Sequence, residues 1–214
     1  MARQVQIDFV SDVSCPWCVI GLRSLEAALS RLGDDVAADI HFQPFELNPQ
    51  MGAEGEDVAE HIARKYGSNA EQLAQSQEML RARGAALGFV FDMSKRTRIY
   101  NTFDAHRLLH WAEGTGKQKA LKQALFSAYF TEGRNPSDPQ VLEEIAANVG
   151  LDRDRARQIL ASDEYAAEVR AREQLYLSNG IHAVPAVILN SRYLISGGQP
   201  AEVFERALRQ AAAD

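Results

Sequence analysis

Both cysteines of the chain lie in one short stretch, SDVSCPWCVIG, at residues 11–21. Before it, residues 4–10 alternate apolar and polar side chains, which predicts a half-buried strand. After it, leucines recur at three- and four-residue steps and predict an amphipathic helix from Pro16 to about Leu32. The cysteine pair therefore lies where a strand passes directly into a helix, and any fold of this chain has to be built around that junction.

The residue order at the junction distinguishes the two thiols. Proline is favoured at the first position of a helix, so Pro16 places Cys15 at the N-cap. There the sulfur can accept hydrogen bonds from free backbone N–H groups and lies at the positive end of the helix dipole, and both effects favour thiolate over thiol. Cys18 lies one turn further into the helix, on its apolar side, and is expected to hold its proton more tightly. The sequence thus predicts a nucleophile at Cys15 and a resolving thiol at Cys18.

A Cys-x-x-Cys pair can also form a structural bridge or half of a metal site. A chain of 214 residues buries enough core to need no covalent staple. It shows no apolar signal region, which predicts a cytoplasmic protein, and permanent disulfides are rare in that compartment. A zinc site would need two more ligands, and the only paired histidines, His106 and His110, are remote in sequence. We expect a redox pair and no metal, with zinc binding and two inert buried cysteines as the weaker alternatives.

Charge and hydropathy argue against two classes of partner. The formal net charge is −6, which disfavours binding to a phosphate backbone. Hydrophobic residues make up 46% of the chain, yet no apolar run approaches the roughly 18 residues that a membrane-spanning helix needs. We therefore expect neither nucleic acid nor a membrane as a partner.

The remaining pattern predicts the order of the elements. A second strand from Val36 to about Gln43 completes a β-α-β unit. Residues 186–196 predict a β-hairpin, and residues 201–211 predict a last helix. Between these parts, residues 48–180 are rich in helix formers and cap signals. The helices predicted there cover about residues 56–66, 70–87, 101–113, 117–131, 139–149, 153–161 and 163–178.

A proline near the end of the chain marks the start of a strand. Pro185 comes immediately before the apolar run from Ala186 to Leu189. Because proline cannot donate to a β-ladder, it belongs at the first residue of a strand or in a special turn.

With Cys-Pro-Trp-Cys opening the first helix and Val-Pro opening the third strand, the sequence resembles the DsbA family of thiol-disulfide oxidoreductases. Within that family it is most similar to the FrnE-like cytoplasmic branch. The resemblance covers essentially the whole chain, in separate blocks that occur in the right order. These blocks are DFVSDVSCPWCVIG at 8–21, PFELNP at 44–49, NTFDAHRLLHWA at 101–112, LFSAYFTEGRNPSDPQVL at 125–142 and GIHAVPAVILNSRYLISGGQP at 180–200.

The resemblance implies an α/β architecture. It is a thioredoxin fold, β-α-β and then α-β-β-α, interrupted by an all-helical insertion. Residues 1–48 and 162–214 would form the thioredoxin-like domain, and residues 49–161 would form the inserted helical domain.

The same resemblance implies a site. It assigns the nucleophile to Cys15, the resolving role to Cys18 and a cis peptide bond to Pro185, which would face the pair. In such folds the residue before the cis proline, here Val184, offers its backbone to an extended substrate segment.

Further residues are expected to bind substrate. Pro16 and Trp17 lie between the cysteines, while Asn48, Asn101 and His106 fall in blocks that resemble the cleft-lining segments of the family. A solvated or core-bonded histidine is an equally good interpretation of His106.

We predict a disulfide oxidoreductase that acts on protein disulfides or dithiols, or on glutathione as a redox partner, without a tightly bound cofactor. The alternative is a glutathione-dependent isomerase or a kappa-class-like glutathione transferase of the same fold, which would use a serine near Cys15, where this chain has Ser14. Trp17 supplies no cation to the pair, so the sequence leaves the direction of electron flow open. It also leaves open whether two chains form a homodimer.

Overall fold

A mixed four-stranded sheet forms the centre of the molecule, whose computed structural model describes residues 3–213. Strand β1 (Arg3–Ser11) runs parallel to β2 (Val36–Pro44) and antiparallel to β5 (Ala186–Leu189). Strand β6 (Tyr193–Ser196) pairs with β5 in the antiparallel sense, which gives the order β2-β1-β5-β6. This confirms the predicted β-α-β unit and the C-terminal hairpin.

The core lies between the sheet and two helices. Val5, Ile7 and Phe9 of β1 are fully buried, as expected for the strand that has a neighbour on each side. Helices α1 (Pro16–Leu32) and α9 (Ala201–Ala213) pack against each other and share an apolar cluster with β1 and β5.

Helix α1 begins and ends where the sequence predicts. Pro16 is its first residue, and Gly33 follows its last residue with a positive φ of 53°. In mid-helix, a Cβ atom added to Gly21 would lie 2.9 Å from Cγ of Pro185, closer than such atoms approach in proteins. The glycine therefore lets the helix that carries the cysteines pack directly against the proline before β5.

Seven helices and a short ladder lie between β2 and β5 in the described part of the chain. The ladder pairs β3 (Glu56–Asp57) with β4 (Arg98–Ile99) in the antiparallel sense. It was not predicted, because strands of two residues are too short to show an alternating pattern. The helices are α2 (Val58–Tyr66), α3 (Ala70–Ala86), α4 (Phe103–Glu113), α5 (Gln118–Phe130), α6 (Pro139–Asn148), α7 (Arg153–Leu160) and α8 (Ala166–Ser178).

One helix begins later than its sequence pattern indicates. The segment predicted from residue 163 becomes helical only at Ala166 because Tyr165 has a φ of 63°, which the right-handed helix cannot include. The carboxylate of the preceding residue, Glu164, is held by Arg155 of α7. That long-range ion pair gives no signal in the local periodicity.

The segment between β2 and β5 is hydrogen-bonded to the sheet edge. Oε1 of Gln118 accepts from the backbone N–H of Phe42 at 2.8 Å, and its Nε2 donates to the carbonyl oxygen of Phe42 at 3.1 Å. A side-chain amide thus satisfies backbone groups of edge strand β2. Within residues 3–213, no helix is long and apolar enough to cross a membrane. The domain division at 48/49 and 161/162 stays a prediction.

Candidate active site

The two cysteines lie at the start of α1 as free thiols. Cys15 is the N-cap, with extended backbone angles of φ −89° and ψ 112°, and its carbonyl oxygen accepts from the backbone N–H of Cys18 at 3.1 Å. Its side chain caps none of the free N–H groups of the helix, but it lies at the end of α1 where they and the positive end of the dipole are found.

Cys15 also contacts the loop before β5. Its Sγ donates to the carbonyl oxygen of Val184 at 3.7 Å, a normal length for a thiol donor. The Val184–Pro185 peptide bond is cis. The nucleophile predicted from the sequence and the proline loop, remote along the chain, therefore lie side by side.

Cys18 has different surroundings from Cys15. Its side chain is completely buried, whereas Cys15 retains 3% of its accessible surface and borders a cavity. Burial raises the pKa of the Cys18 thiol well above its usual value, and a hydrogen bond with Cys15 and the charge of that residue raise it further. Cys18 therefore holds its proton while Cys15 is the sulfur that a partner molecule can reach.

A buried carboxylate, Asp12, holds the loop that leads into α1. It accepts hydrogen bonds from the backbone N–H of Ser14 at 3.2 Å, from the Ser14 hydroxyl at 3.0 Å and from the N–H of Leu47 at 2.7 Å. Nε2 of His106 lies 3.5 Å from its Oδ1, at the limit of a hydrogen bond. Asp12 thus ties the helix start to the loop after β2 and to helix α4.

The charge of Asp12 is stabilised despite its burial. Burial alone would raise the pKa of this carboxyl, but the contact with His106 and the N–H of Leu47 outweigh it and lower the pKa to about 2. The sequence analysis missed this residue. The available signal was the spacing Asp-x-Ser, typical of an aspartate that bonds to the backbone two residues on.

A cavity of about 630 Å³ opens above Cys15. Its walls come from the start of α1, the loop after β2, helices α2 and α3, and the loop before β5. The lining residues are Ser14, Cys15, Pro16, Trp17, Phe45, Glu46, Leu47, Asn48, His61, Ile62, Lys65, Tyr66, Ser68, Gln72, Leu73, Ser76, Gln77, Leu80, Arg96, Ile99, His182, Ala183 and Val184.

Four of the predicted substrate-binding residues line this cavity, namely Pro16, Trp17, Asn48 and Val184. The other two do not. The amide of Asn101 donates to the carbonyl oxygen of Met51 at 3.2 Å and accepts from the N–H of Phe103 at 2.8 Å, so it shapes the start of α4. His106 is buried beside Asp12 and is not part of the wall, and its Nε2 has no hydrogen-bond partner among residues 3–213.

Two cations of the cavity wall were not singled out from the sequence. Nζ of Lys65 donates to the carbonyl oxygen of Leu47 and to Oδ1 of Asn48, both at 2.7 Å, which fastens α2 to the loop after β2. Arg96 is 9% exposed and its Nε donates to the Tyr129 hydroxyl at 3.1 Å. Among residues 3–213, no three His, Cys, Asp or Glu side chains are grouped to hold a metal ion.

Comparison with known proteins places this geometry in a family. Residues 6–209 match the model of the DSBA-like thioredoxin domain. A probable DsbA oxidoreductase from Streptomyces coelicolor superposes with a TM-score of 0.92 at 35% identity, over 98% of this chain and 91% of that one. The uncharacterized protein YwbO of Bacillus subtilis (strain 168) is 27% identical over 95% of this chain and 96% of its own length.

A more distant structure shares the fold. The cytosolic disulfide reductase DsbM of Pseudomonas aeruginosa, whose structure was solved with GSH, has a TM-score of 0.67 at 18% identity, over 98% of this chain and all (100%) of that one. The fold and the family model together assign the chain to the thioredoxin-fold proteins, the class that includes the disulfide oxidoreductases. The chain belongs to the DsbA-like thioredoxin-domain family.

Replacing Asp12 by alanine is expected to destabilise the protein strongly. The substitution leaves the buried N–H and hydroxyl of Ser14 and the half-buried N–H of Leu47 without their partner. We expect a loss of about 3 kcal/mol in the free energy of unfolding, measured by guanidinium denaturation at pH 7. Because the folded-state pKa of Asp12 lies below its usual 3.8, the difference from the wild type is full above about pH 4 and shrinks as the pH falls towards 2.

Asp152→Ala is the matched control. Asp152 is an exposed N-cap whose side chain accepts from the N–H of Arg155 at 2.9 Å, and its loss should cost only about 1 kcal/mol. An Asp12→Ala protein no less stable than the Asp152→Ala protein would contradict the role given to Asp12.

Proposed function

We propose that the protein is a thiol-disulfide oxidoreductase in which Cys15 is the nucleophile and Cys18 the resolving thiol. The observation that carries the proposal is the unequal setting of two free thiols one helical turn apart, with Cys15 bordering the cavity and Cys18 completely buried. A permanent bridge or an inert pair has no use for this asymmetry, whereas disulfide exchange needs one sulfur to meet the partner and another to release it.

The exchange proceeds in two balanced steps. The thiolate of Cys15 attacks one sulfur of the partner disulfide, forms a bond with it, and the other partner sulfur leaves with the electron pair and takes up a proton. Cys18 then loses its proton and attacks Sγ of Cys15, which forms the Cys15–Cys18 disulfide and releases the second partner sulfur as a thiol. The cysteine pair has given two electrons to the partner, and the reverse sequence oxidises a dithiol.

Val184 and Pro185 are proposed to shape the place where the partner lies. The carbonyl oxygen of Val184 faces Sγ of Cys15, so backbone placed along this loop would bring its own sulfur to the nucleophile. Pro185 packs against Gly21 of α1, which fixes the distance between loop and helix. Pro16 and Trp17 would border the same place from the side of α1.

Glutathione is proposed as a partner alongside protein disulfides and dithiols. The cavity of about 630 Å³ is large enough for a tripeptide, and Arg96 and Lys65 bring positive charge to its wall, which favours a ligand with free carboxylates. The structural neighbour solved with GSH is a cytosolic disulfide reductase. The sequence blocks quoted above support membership of the FrnE-like branch, and the cytosolic neighbour supports a cytoplasmic location. We propose that no cofactor is tightly bound.

The glutathione transferase or isomerase function finds less support. It needs an activated serine, but the hydroxyl of Ser14 donates to Asp12 in a buried loop. The low pKa of that carboxyl makes it a poor base for activating the hydroxyl.

Serine variants of the two cysteines test the proposal. With glutathione disulfide or an oxidised peptide, Cys18→Ser should accumulate a mixed disulfide at Cys15, because the thiol that releases the partner is gone. The adduct is measured by intact-protein mass spectrometry, and it should resolve in the wild type. Steady-state exchange should fall by a factor of about 10³ or more in Cys15→Ser.

Reduction of the adduct provides the control, since only a mixed disulfide is removed by a dithiol reagent. If Cys18→Ser retained full turnover with a glutathione-conjugation substrate and formed no adduct, the transferase function would replace this one. Disulfide exchange unchanged in Cys15→Ser would exclude the proposed function.

Substitution of Arg96 tests whether the site prefers a negatively charged small-molecule disulfide. In Arg96→Met we expect kcat/KM for glutathione disulfide, which carries a net negative charge, to fall about tenfold because a charge-assisted contact with a carboxylate is lost. The neutral bis(2-hydroxyethyl) disulfide should change by less than about twofold, since it makes no such contact.

Arg98→Met is the matched control. Arg98 is exposed and bonded to the carbonyl oxygens of Glu54 and Gly55, and it does not line the cavity. We expect Arg98→Met to leave kcat/KM for both disulfides unchanged. An equal loss for both disulfides in Arg96→Met would mean that Arg96 only supports the fold through Tyr129.

A further inference from the structure

Lys122 of α5 is a fully buried cation that the exchange steps above do not use. Its side chain has no accessible surface, and its Nζ has no hydrogen-bond partner among residues 3–213. The ammonium group lies over the face of the Phe126 ring, whose centre is 5.0 Å from Nζ. Burying an unpaired ammonium group in an apolar core lowers the stability of the folded state, and an apolar side chain of similar size would be tolerated better.

The position of Lys122 relates it to the cysteines. Phe126, one turn further along α5, belongs to the same buried apolar cluster as Cys15 and Cys18. Burial lowers the pKa of Lys122 to about 8, while the charges of Cys18, Asp12 and Cys15 act in the opposite direction, with Cys18 the largest of the three. In return, the charge of Lys122 acts to lower the pKa of Cys18.

The other charged groups on the elements around Lys122 are engaged elsewhere. Asp12 is held by Ser14 and Leu47 and approached by His106 of α4. Other charged groups on these elements also have partners. The pairs are Glu26 of α1 with Lys119 and Arg23, His41 of β2 with Asp39 and Glu113, Arg107 of α4 with Asp104, and Glu143 of α6 with Arg157. His110 of α4 lies against the ring of Tyr165, and Arg96 is bonded to the hydroxyl of Tyr129. Lys122 is therefore the cation whose field acts on the buried thiol.

We propose that Lys122, carried by the segment inserted between β2 and β5, is a positioning residue for the resolving step, where its ammonium group stabilises the thiolate of Cys18. The inference rests on the proposed function of the pair. It gives the insertion a part in the chemistry itself, beyond forming one wall of the cavity.

Lys122 acts on one step of the exchange, the release of the partner by Cys18. In the mixed disulfide, Sγ of Cys18 gives up the proton that the departing partner sulfur finally takes up, and the resulting thiolate attacks Sγ of Cys15 while the bond from Cys15 to the partner sulfur breaks. The partner leaves with that electron pair and takes up a proton. Lys122 keeps its own proton throughout, and its charge offsets the cost of an anion in an apolar core. At pH 7 its ammonium form predominates, since its pKa is about 8.

Lys122→Met separates the two steps in single-turnover experiments with a fluorescent mixed-disulfide peptide. We expect release of the partner at pH 7 to slow about tenfold or more, because one unit in the pKa of Cys18 is a tenfold change in its thiolate fraction. Formation of the mixed disulfide by Cys15 should slow much less. Above pH 8 the gap in the release rate should narrow, as Lys122 of the wild type loses its charge.

Lys119→Met is the matched control, because Lys119 lies on the same helix, is exposed and pairs with Glu26 at 3.0 Å. It should change neither step. The denaturation midpoint of Lys122→Met should not fall, since an unpartnered buried charge has been removed. Should the methionine variant lose the folded state, Lys122→Gln repeats the test with a neutral polar group of similar length.

The pH profile of partner release separates an effect of charge from a structural effect. In Lys122→Met the slowing should be largest at and below pH 7 and should vanish above about pH 9, because Lys122 of the wild type, with a pKa of about 8, is then neutral. A slowing that is the same at every pH, an unchanged release rate, or an equal slowing of both steps would overturn the role of Lys122. Absence of any exchange in the wild type would instead refute the proposed function, and the role of Lys122 with it.

Discussion

The start of helix α1 is the constraint on which the site depends. Because Pro16 begins the helix, Cys15 lies outside its first turn, beside the cavity, and Cys18 lies inside it, within the core. The same turn presents the positive end of the helix dipole to the outer sulfur and apolar packing to the inner one. Asp12 holds this arrangement in place, since its carboxylate is bonded to Ser14 just before the helix and to Leu47 in the loop after β2.

The inserted helices complete the site from the other side. Gln118 bonds both backbone groups of Phe42 and so fixes α5 to the edge of the sheet. One turn later the same helix carries Lys122, whose Nζ lies over the ring of Phe126, a member of the apolar cluster that also contains both cysteines. A rigid attachment of α5 matters for that role, because the effect of a charge on a buried thiol depends steeply on their separation.

The part of the site that depends on local pattern was predictable. The leucine spacing and Pro16 predicted both ends of α1 and the different roles of the two thiols. The family resemblance predicted that Pro185 lies beside them. Long-range contacts were not predictable. A lysine in an amphipathic helix is normally exposed, and nothing in the order of residues shows that Lys122 is completely buried. The hydrogen bond between Leu47 and Asp12 joins residues that are 35 positions apart, and the sequence gives no signal for it either.

The measurement that tests this account most directly is differential alkylation of the reduced protein. Iodoacetamide at pH 7, followed by peptide mass spectrometry, should modify Cys15 and leave Cys18 unmodified until the protein is unfolded in guanidinium, because only Cys15 borders the cavity and burial raises the pKa of Cys18. Equal modification of the two thiols, or faster modification of Cys18, would contradict the division of roles from which the proposed function follows.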